Sequence, residues 1–443
     1  MNRWGIGLGA LAVLVAVAPG CATYSDKMKG ARSAVSAGDY AKGIAEVDKI
    51  IGVNSPEKMP SKFGSETALA VLERATLKQA TDDFKGSETD FESADKNLEL
   101  LDIANDTVGE IGKYMFSDSS TKYRSSPIEK VSLNGFNMMN YLAEGNLQGS
   151  RVEARRFTVM QNYLNDTDPQ RPHAAFGSYL AGFTMERLGE YGSAMRYYDE
   201  ALQARNFNSL HGPVSRLARL TQYRGKAIKR FLSKGTTSPK EPKKGADLLV
   251  VVSIGRVPHK EPKRMPIGAA IGIAGTWISG NPAVLGHTAT KVVVYPALVP
   301  SEQVINKASI RIDGKPAELE LASDLGAEIT HEYDEMKPKI IGAAISRMIV
   351  RAAASEGVRQ AGNQSDQAVG WIAAILTEAT LVAMDKPDTR SWIFLPNRVF
   401  MHRSRISPGE HEISVDLGRG GIRSQKVKVN AGGFSVVVVT APR

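Results

Sequence analysis

One frame of small and aromatic residues recurs four times in the first half of the chain, and it restricts that half to paired helices. The stretch "LAGFTMERLGEYGSAMRYYDEALQA" sets Ala181 and Gly182 ahead of Gly189, Tyr191, Ala194, Tyr198 and Ala201. Small residues at these offsets let two antiparallel helices touch, and the aromatics fill the groove between them. "AGDYAKGIAEVDKI" repeats the frame with Tyr40, Gly43, Val47 and Ile50. "DDFKGSETDFESA" gives Phe84, Ser87, Phe91 and Ala94, and "EGNLQGSRVEARRF" gives Leu147, Ser150, Ala154 and Phe157.

These are the offsets of a tetratricopeptide (TPR) repeat. Gly43, Ser87, Ser150 and Ala194 stand farther apart than the ~34 residues of an uninterrupted array, so the pairs carry insertions. Residues 21–232 are therefore expected to form a degenerate, TPR-like α-solenoid, with a generic helical bundle as the competing reading. A repeat pair cannot bury its own apolar face, so neighbours stack and leave a concave groove for a peptide or protein. Tyr40, Phe84, Leu147, Tyr191 and Tyr198 are the expected groove or packing residues.

The stretch "SKGTTSPKEPKKGA", residues 233–246, is too polar and Pro/Gly-rich to build a core and reads as a linker. Beyond it the apolar period changes to that of strands. "DLLVVVSI", "TKVVVYPAL" and "ASIRIDGKPAEL" come first, the last with Asp313-Gly314 as a hairpin turn. "SWIFLPNRVFMH", "HEISVDL", "IRSQKVKVN" and "FSVVVVTA" follow, parted by Pro408-Gly409, Gly420-Gly421 and Gly432-Gly433. Residues 247–443 are thus expected to be a β-sandwich-like domain. A helical insert at about 336–384 carries an apolar stripe from Ile340 to Ala352. The fold class is α+β, in two domains. "MPIGAAIGIAGTWISGNPAVLG", residues 265–286, has no charge, but its glycines and prolines rule out a spanning helix. It reads as a long loop over the sandwich, or one facing lipid or a partner.

At the other end, Arg3 precedes an apolar run from Gly5 to Ala18, then small residues and Cys21, the only cysteine in the chain. That is a secretory leader, residues 1–20, too short to span comfortably. Small Gly20 before Cys21 resembles the bacterial lipobox, although Ala18 and Pro19 depart from its usual residues. Cleavage after Gly20 and lipid attachment at Cys21 are the expectation, with plain export to the periplasm as the alternative. Ala22 is not the aspartate that retains enteric lipoproteins in the inner membrane, so the outer membrane is the expected site.

No motif assembles a catalytic centre. "GAAIGIAG" lacks a following lysine and a dinucleotide-fold setting. "EITHEYDE" gathers Glu328, His331, Glu332, Asp334 and Glu335, a conceivable metal site but more simply a solvated helix start. The net charge is +9, yet no long Lys/Arg block with interleaved aromatics occurs, against nucleic-acid binding. No enzyme activity, metal or cofactor is expected.

"DKPDTRSWIFLPNRVFMHRSRISPGEHEISV" is the most distinctive stretch. It resembles the C-terminal signature of a family of exported bacterial lipoproteins, mostly uncharacterised, with TPR-like helices ahead of a strand-rich domain. The matching residues are Asp388 to Trp392 (with Arg390 central), Leu395-Pro396, Arg403 or Arg405, and Pro408-Gly409. "VSLNGFNMMNYLAEGNLQGSRVEARR" resembles that family's helical core. Physically, Arg390 beside Trp392 suits a cation–π or buried ion-pair contact. The resemblance implies an envelope lipoprotein and brings no catalytic residues. The expected function is a lipid-anchored periplasmic adaptor that binds an envelope protein through its helical groove. The alternative is a pilotin-like assembly or structural factor for an outer-membrane or peptidoglycan-synthesis machine; an envelope hydrolase ranks third.

Overall fold

Four turns of one kind organise the helical half. The computed structural model describes residues 22–101, 122–167, 173–234, 245–280, 282, 292–362 and 386–443. The expected leader with Gly20, Cys21, most of the expected linker and the end of the expected insert lie outside the described residues. A single turn, α1 (Tyr24–Lys27), precedes the hairpin of α2 (Lys29–Ala37) and α3 (Tyr40–Ile51). Three more hairpins pair α4 (Thr67–Ala80) with α5 (Phe84–Asn97), α6 (Pro127–Ala143) with α7 (Leu147–Thr167), and α8 (Ala175–Arg187) with α9 (Tyr191–Ala204). Between the second and third lies a short parallel ladder of β1 (Glu99–Leu100) and β2 (Arg124–Ser125). Helices α10 (His211–Leu220) and α11 (Lys226–Ser233) close this half.

In each hairpin turn one residue is left-handed: Gly38, Asp82, Gly145 and Gly189, at φ 87°, 62°, 70° and 79°. Glycine adopts that conformation without a Cβ clash, and it ends the first helix. Asp39, Asp83 and Asn146 then cap the second helix, accepting from the N–H of Lys42, Gly86 and Gly149. Tyr40, Phe84, Leu147 and Tyr191 are each the first residue of a second helix. The small residues of the recurring frame sit one turn on, at the close approach of the pair. A Cβ on Gly43 would come within 2.9 Å of Val35. Ser87 Oγ donates to the Ala75 carbonyl at 2.8 Å within its pair, whereas Ser150 Oγ meets Thr184 Oγ1 of α8, in the next hairpin, at 2.7 Å.

The strand half contributes two four-stranded sheets. The first runs β12 (Phe434–Ala441), β3 (Ala246–Ile254), β9 (Arg398–Ile406), β8 (Glu320–Asp324), with β12 parallel to β3 and the other pairs antiparallel. The second runs β11 (Ile422–Val429), β10 (Gly409–Asp416), β6 (Ser309–Ile312), β7 (Lys315–Ala317). Every residue of β3 is buried. Its alternation explains why: Leu248, Val250, Val252 and Ile254 face the second sheet, while Leu249 and Val251 join the core of the helices. The first sheet is therefore a middle layer, and residues on both sides of the expected linker share one apolar core.

A third piece stands apart from these layers. β4 (His259–Pro266) and β5 (Val292–Val299) form their own hairpin, which packs with α12 (Ile267–Ala274) against the long helix α13 (Leu325–Gly362). Among the described residues no helix is long and apolar enough to cross a membrane.

Four expectations need correction. The insert begins at Leu325, a turn and more before 336, because Asp324 accepts from the Ala327 N–H and starts the helix there. Part of the expected long loop is helical, as α12, because Ala270 and Ala274 find an apolar seat on α13. "SWIFLP" is not strand: residues 386–397 have no ladder partner, and β9 starts only at Arg398. Glu328 and Glu332 are only partly solvated. They face the helical half and accept from the N–H of Ala174 and Ile128, near the starts of α8 and α6.

Candidate functional site

The irregular segment 388–395 is the link between the halves. Trp392 is fully buried, edge-on to Phe91 and Phe136 with ring centroids 5.9 and 6.0 Å away. Its indole N–H donates to Thr76 Oγ1 at 3.0 Å. Lacking a strand partner, its backbone is satisfied by two buried carboxylates. Glu129 Oε1 accepts from the Trp392 N–H at 2.7 Å, and Glu73 accepts from Ile393 and Phe394 at 2.7 and 2.8 Å. Glu73 stands in the middle of α4, a helix buried from Ala68 to Ala80. Burial pushes its carboxyl up to about 8 even though those two N–H groups favour the charged form.

Arg390 turns the other way. Its guanidinium makes a bidentate pair with Asp388 at 2.8 and 2.6 Å, donates to the Ser65 carbonyl at 2.8 Å, and lies over Tyr123 rather than Trp392. Tyr123 donates its hydroxyl to Glu129, and its N–H shares the Ser65 carbonyl. Thr389 accepts from the Ser25 N–H at 3.1 Å, so the first described helix docks on the same segment. Thr389, Arg390 and Trp392 thus tie α1, α4, α5 and α6 to the strand half.

Beside Arg390 opens a cleft in two adjoining parts of about 70 and 60 Å³. One part is lined by Lys122, Arg124, Lys260, Arg347 and Arg390, with Asp388 the single carboxylate. The adjoining part is mostly apolar, built from Leu101, Leu298, Ile329, Met336 and Ile340, with Glu129 and Glu332 also lining it. Deeper in, burial raises Glu332 to about 7, against the Ser126 and Ile128 groups that favour its charged form. The size suits a side chain or a terminal group, not a large cofactor. Apolar side chains beside a group of cations suit a small acidic, partly apolar group.

The expected groove residues are dispersed. Tyr198 is fully buried, donating to Glu186 Oε2 at 2.6 Å and accepting from Arg403 at 2.8 Å. Tyr40 is buried beneath the Arg423 guanidinium, and Phe84 and Leu147 are half-buried against the core. Tyr191 alone of the five is exposed, at 39%. The inner faces of α4, α6 and α8 hold the chain's own segment 392–395 and first sheet.

Arg403 is the second tie between the halves. It reaches Glu186 Oε2 at 2.9 Å and Asp247 Oδ1 at 3.1 Å, all three side chains nearly fully buried. Burial alone would raise both carboxyls, but Arg403, with Arg187 adding to it, holds them below the usual range.

A further cavity of about 390 Å³ is lined by His173, Arg205, Asp324, Glu328 and His331. Among the described residues no group of three or more His, Cys, Asp or Glu is placed to hold a metal. Arg390 is marked by the sequence, but Glu73, Glu129, Lys122, Arg124 and Lys260 are not. Two signals were there: "SPIE" at 126–129 is a capping box with proline at the first helical position, and Glu73 is a lone acid in an apolar helix. Compared with family models and with curated proteins, the chain matches none of either.

Proposed function

We infer that the chain is an exported envelope lipoprotein, anchored through Cys21, that serves as a non-catalytic adaptor for an envelope protein. The helical hairpins are read as a degenerate TPR-like solenoid, and the two facing sheets as a β-sandwich that fills the solenoid's inner face. The partner is therefore assigned to the cleft beside Arg390 and not to the helical groove. One observation carries this reading: Lys122, Arg124, Lys260 and Arg347 line a slot beside the Arg390–Asp388 pair, next to an apolar surface. Such a slot fits an acidic segment with an apolar side chain or chain end from the partner.

The test is crosslinking in intact cells followed by capture of the full chain. The parent is expected to enrich one envelope protein, and Arg124→Glu with Lys260→Glu to lose that enrichment at least tenfold. Equal enrichment by the variant would place the partner elsewhere. Anchoring is tested separately: Cys21→Ser should abolish incorporation of labelled fatty acid.

A further inference from the structure

We propose that the β4–β5 hairpin and its tip helix α12 dock on an anionic lipid surface. The argument starts from charge. No Asp or Glu occurs between Glu261 and Glu302, nor between Glu335 and Glu356, and these two stretches make up the unit of β4, α12, β5 and the middle of α13. Cations are present in both: Lys263 and Arg264 in the first, Lys337, Lys339 and Arg347 in the second. Lys263 and Arg264 are exposed on the arm leading to α12. Glu261, at the far end of β4 from α12, is paired with Arg32, so the tip half of the unit is free of acids and has a basic border complementary to anionic headgroups.

The second observation is apolar exposure at the tip. α12 reads "IGAAIGIA" and buries only Ala270 and Ala274, against Ile341, Ala344, Ile345 and Met348 of α13. Ile271 and Ile273 are each 37% exposed. Side chains built at Gly268, Gly272 and Gly275 would meet nothing within 4 Å. A short helix with an open apolar face and a basic border is the arrangement that lies in a headgroup layer. Trp277 follows directly, held by the Lys339 ammonium 4.6 Å from its ring, and tryptophan favours the membrane interface. A nucleic acid or other polyanion would account for the cations but not for the isoleucines.

The geometry suits the expected anchor without depending on it. α1 packs on β4, and Arg32 meets His259 and Glu261 at its start. The first described residues and α12 therefore lie toward opposite ends of one strand, roughly 26 Å long at about 3.3 Å per residue.

The chain from residue 22 onward, which contains all the described core, is sedimented with vesicles of phosphatidylethanolamine and phosphatidylglycerol, and with neutral phosphatidylcholine vesicles. Binding is expected to the anionic vesicles only, and to weaken at high salt. Ile271→Glu with Ile273→Glu should lower the partition at least tenfold while the circular dichroism spectrum and melting temperature are kept. Lys263→Glu with Arg264→Glu should lower it severalfold, and Val152→Glu on α7, exposed and remote, should leave it unchanged. No binding by the parent, equal binding to neutral vesicles, or full binding by the isoleucine variant would each overturn the proposal. Capture on heparin together with full vesicle binding by the isoleucine variant would also overturn it, in favour of a polyanion site.

Discussion

The backbone N–H of Trp392 donates to Glu129 Oε1 at 2.7 Å, across 263 residues of chain. Glu129 also caps its own helix through Ser126 and accepts from Tyr123, so one carboxylate starts α6, fixes β2 and seats the signature segment. An apolar replacement would leave three polar groups without this acceptor, which is costly in a buried site.

Trp392 should therefore behave as a core residue of the helical half. Trp392→Ala removes a fully buried ring between Phe91 and Phe136 and is expected to cost about 3–5 kcal/mol. Urea denaturation checks this, and a loss below about 1 kcal/mol would mean that the segment is a loosely held tail.

Arg403→Met is expected to cost about 1–3 kcal/mol, because Glu186 and Asp247 would lose their most buried cation and keep only the more exposed Arg187 between them. Replacing all three by apolar residues of similar size should recover much of the loss. Unfolding followed by tryptophan fluorescence and by circular dichroism should remain coincident in the parent, since one core serves both halves.

Stability should fall as pH rises from about 4.5 to about 8. Burial lifts Glu73 and Glu328 to about 8 and Glu332 to about 7, so the folded chain keeps protons that the unfolded chain releases near its ordinary 4.5. Each group contributes at most about 1.4 kcal/mol per pH unit in that window. Glu328→Gln, which keeps an acceptor for Ala174, should flatten the slope. Glu186 and Asp247 act in the opposite sense. Their lowered carboxyls lose stabilisation only as pH falls through the acid range.

The hairpin turns give a paired test of backbone strain. Gly189 is left-handed at φ 79° with open space around it, so Gly189→Ala should cost about 1 kcal/mol through backbone alone. Gly192, just inside α9 and equally uncrowded, should gain up to about 1 kcal/mol on change to alanine. Thermal unfolding separates the two. Equal effects would contradict the turn geometry.

The helical hairpins were legible because their determinants are local: a left-handed turn residue, a cap, then a small residue one helical turn on. Most strands were legible for the same reason, by alternation between turn signals, and Asp313-Gly314 turns between β6 and β7 as its sequence implies. The site was not. Glu73, Glu129 and Trp392 are far apart in the chain, and "SWIFLP" looks like strand until its N–H groups are found on carboxylates of other helices. Nor does the pattern at Tyr198 say what occupies the inner face. Periodicity marks a buried stripe, but it does not tell a bound partner from the chain's own sheet.

The adaptor reading is tested most directly by placing a photo-crosslinking amino acid, in separate full-length chains, at Lys122 on the cleft mouth and at Tyr191 on the exposed helical frame. The account predicts a defined crosslink to an envelope protein from position 122, lost when Arg124 and Lys260 are reversed in charge, and none from position 191. A crosslink from 191 with none from 122 would contradict it and return binding to the helical surface.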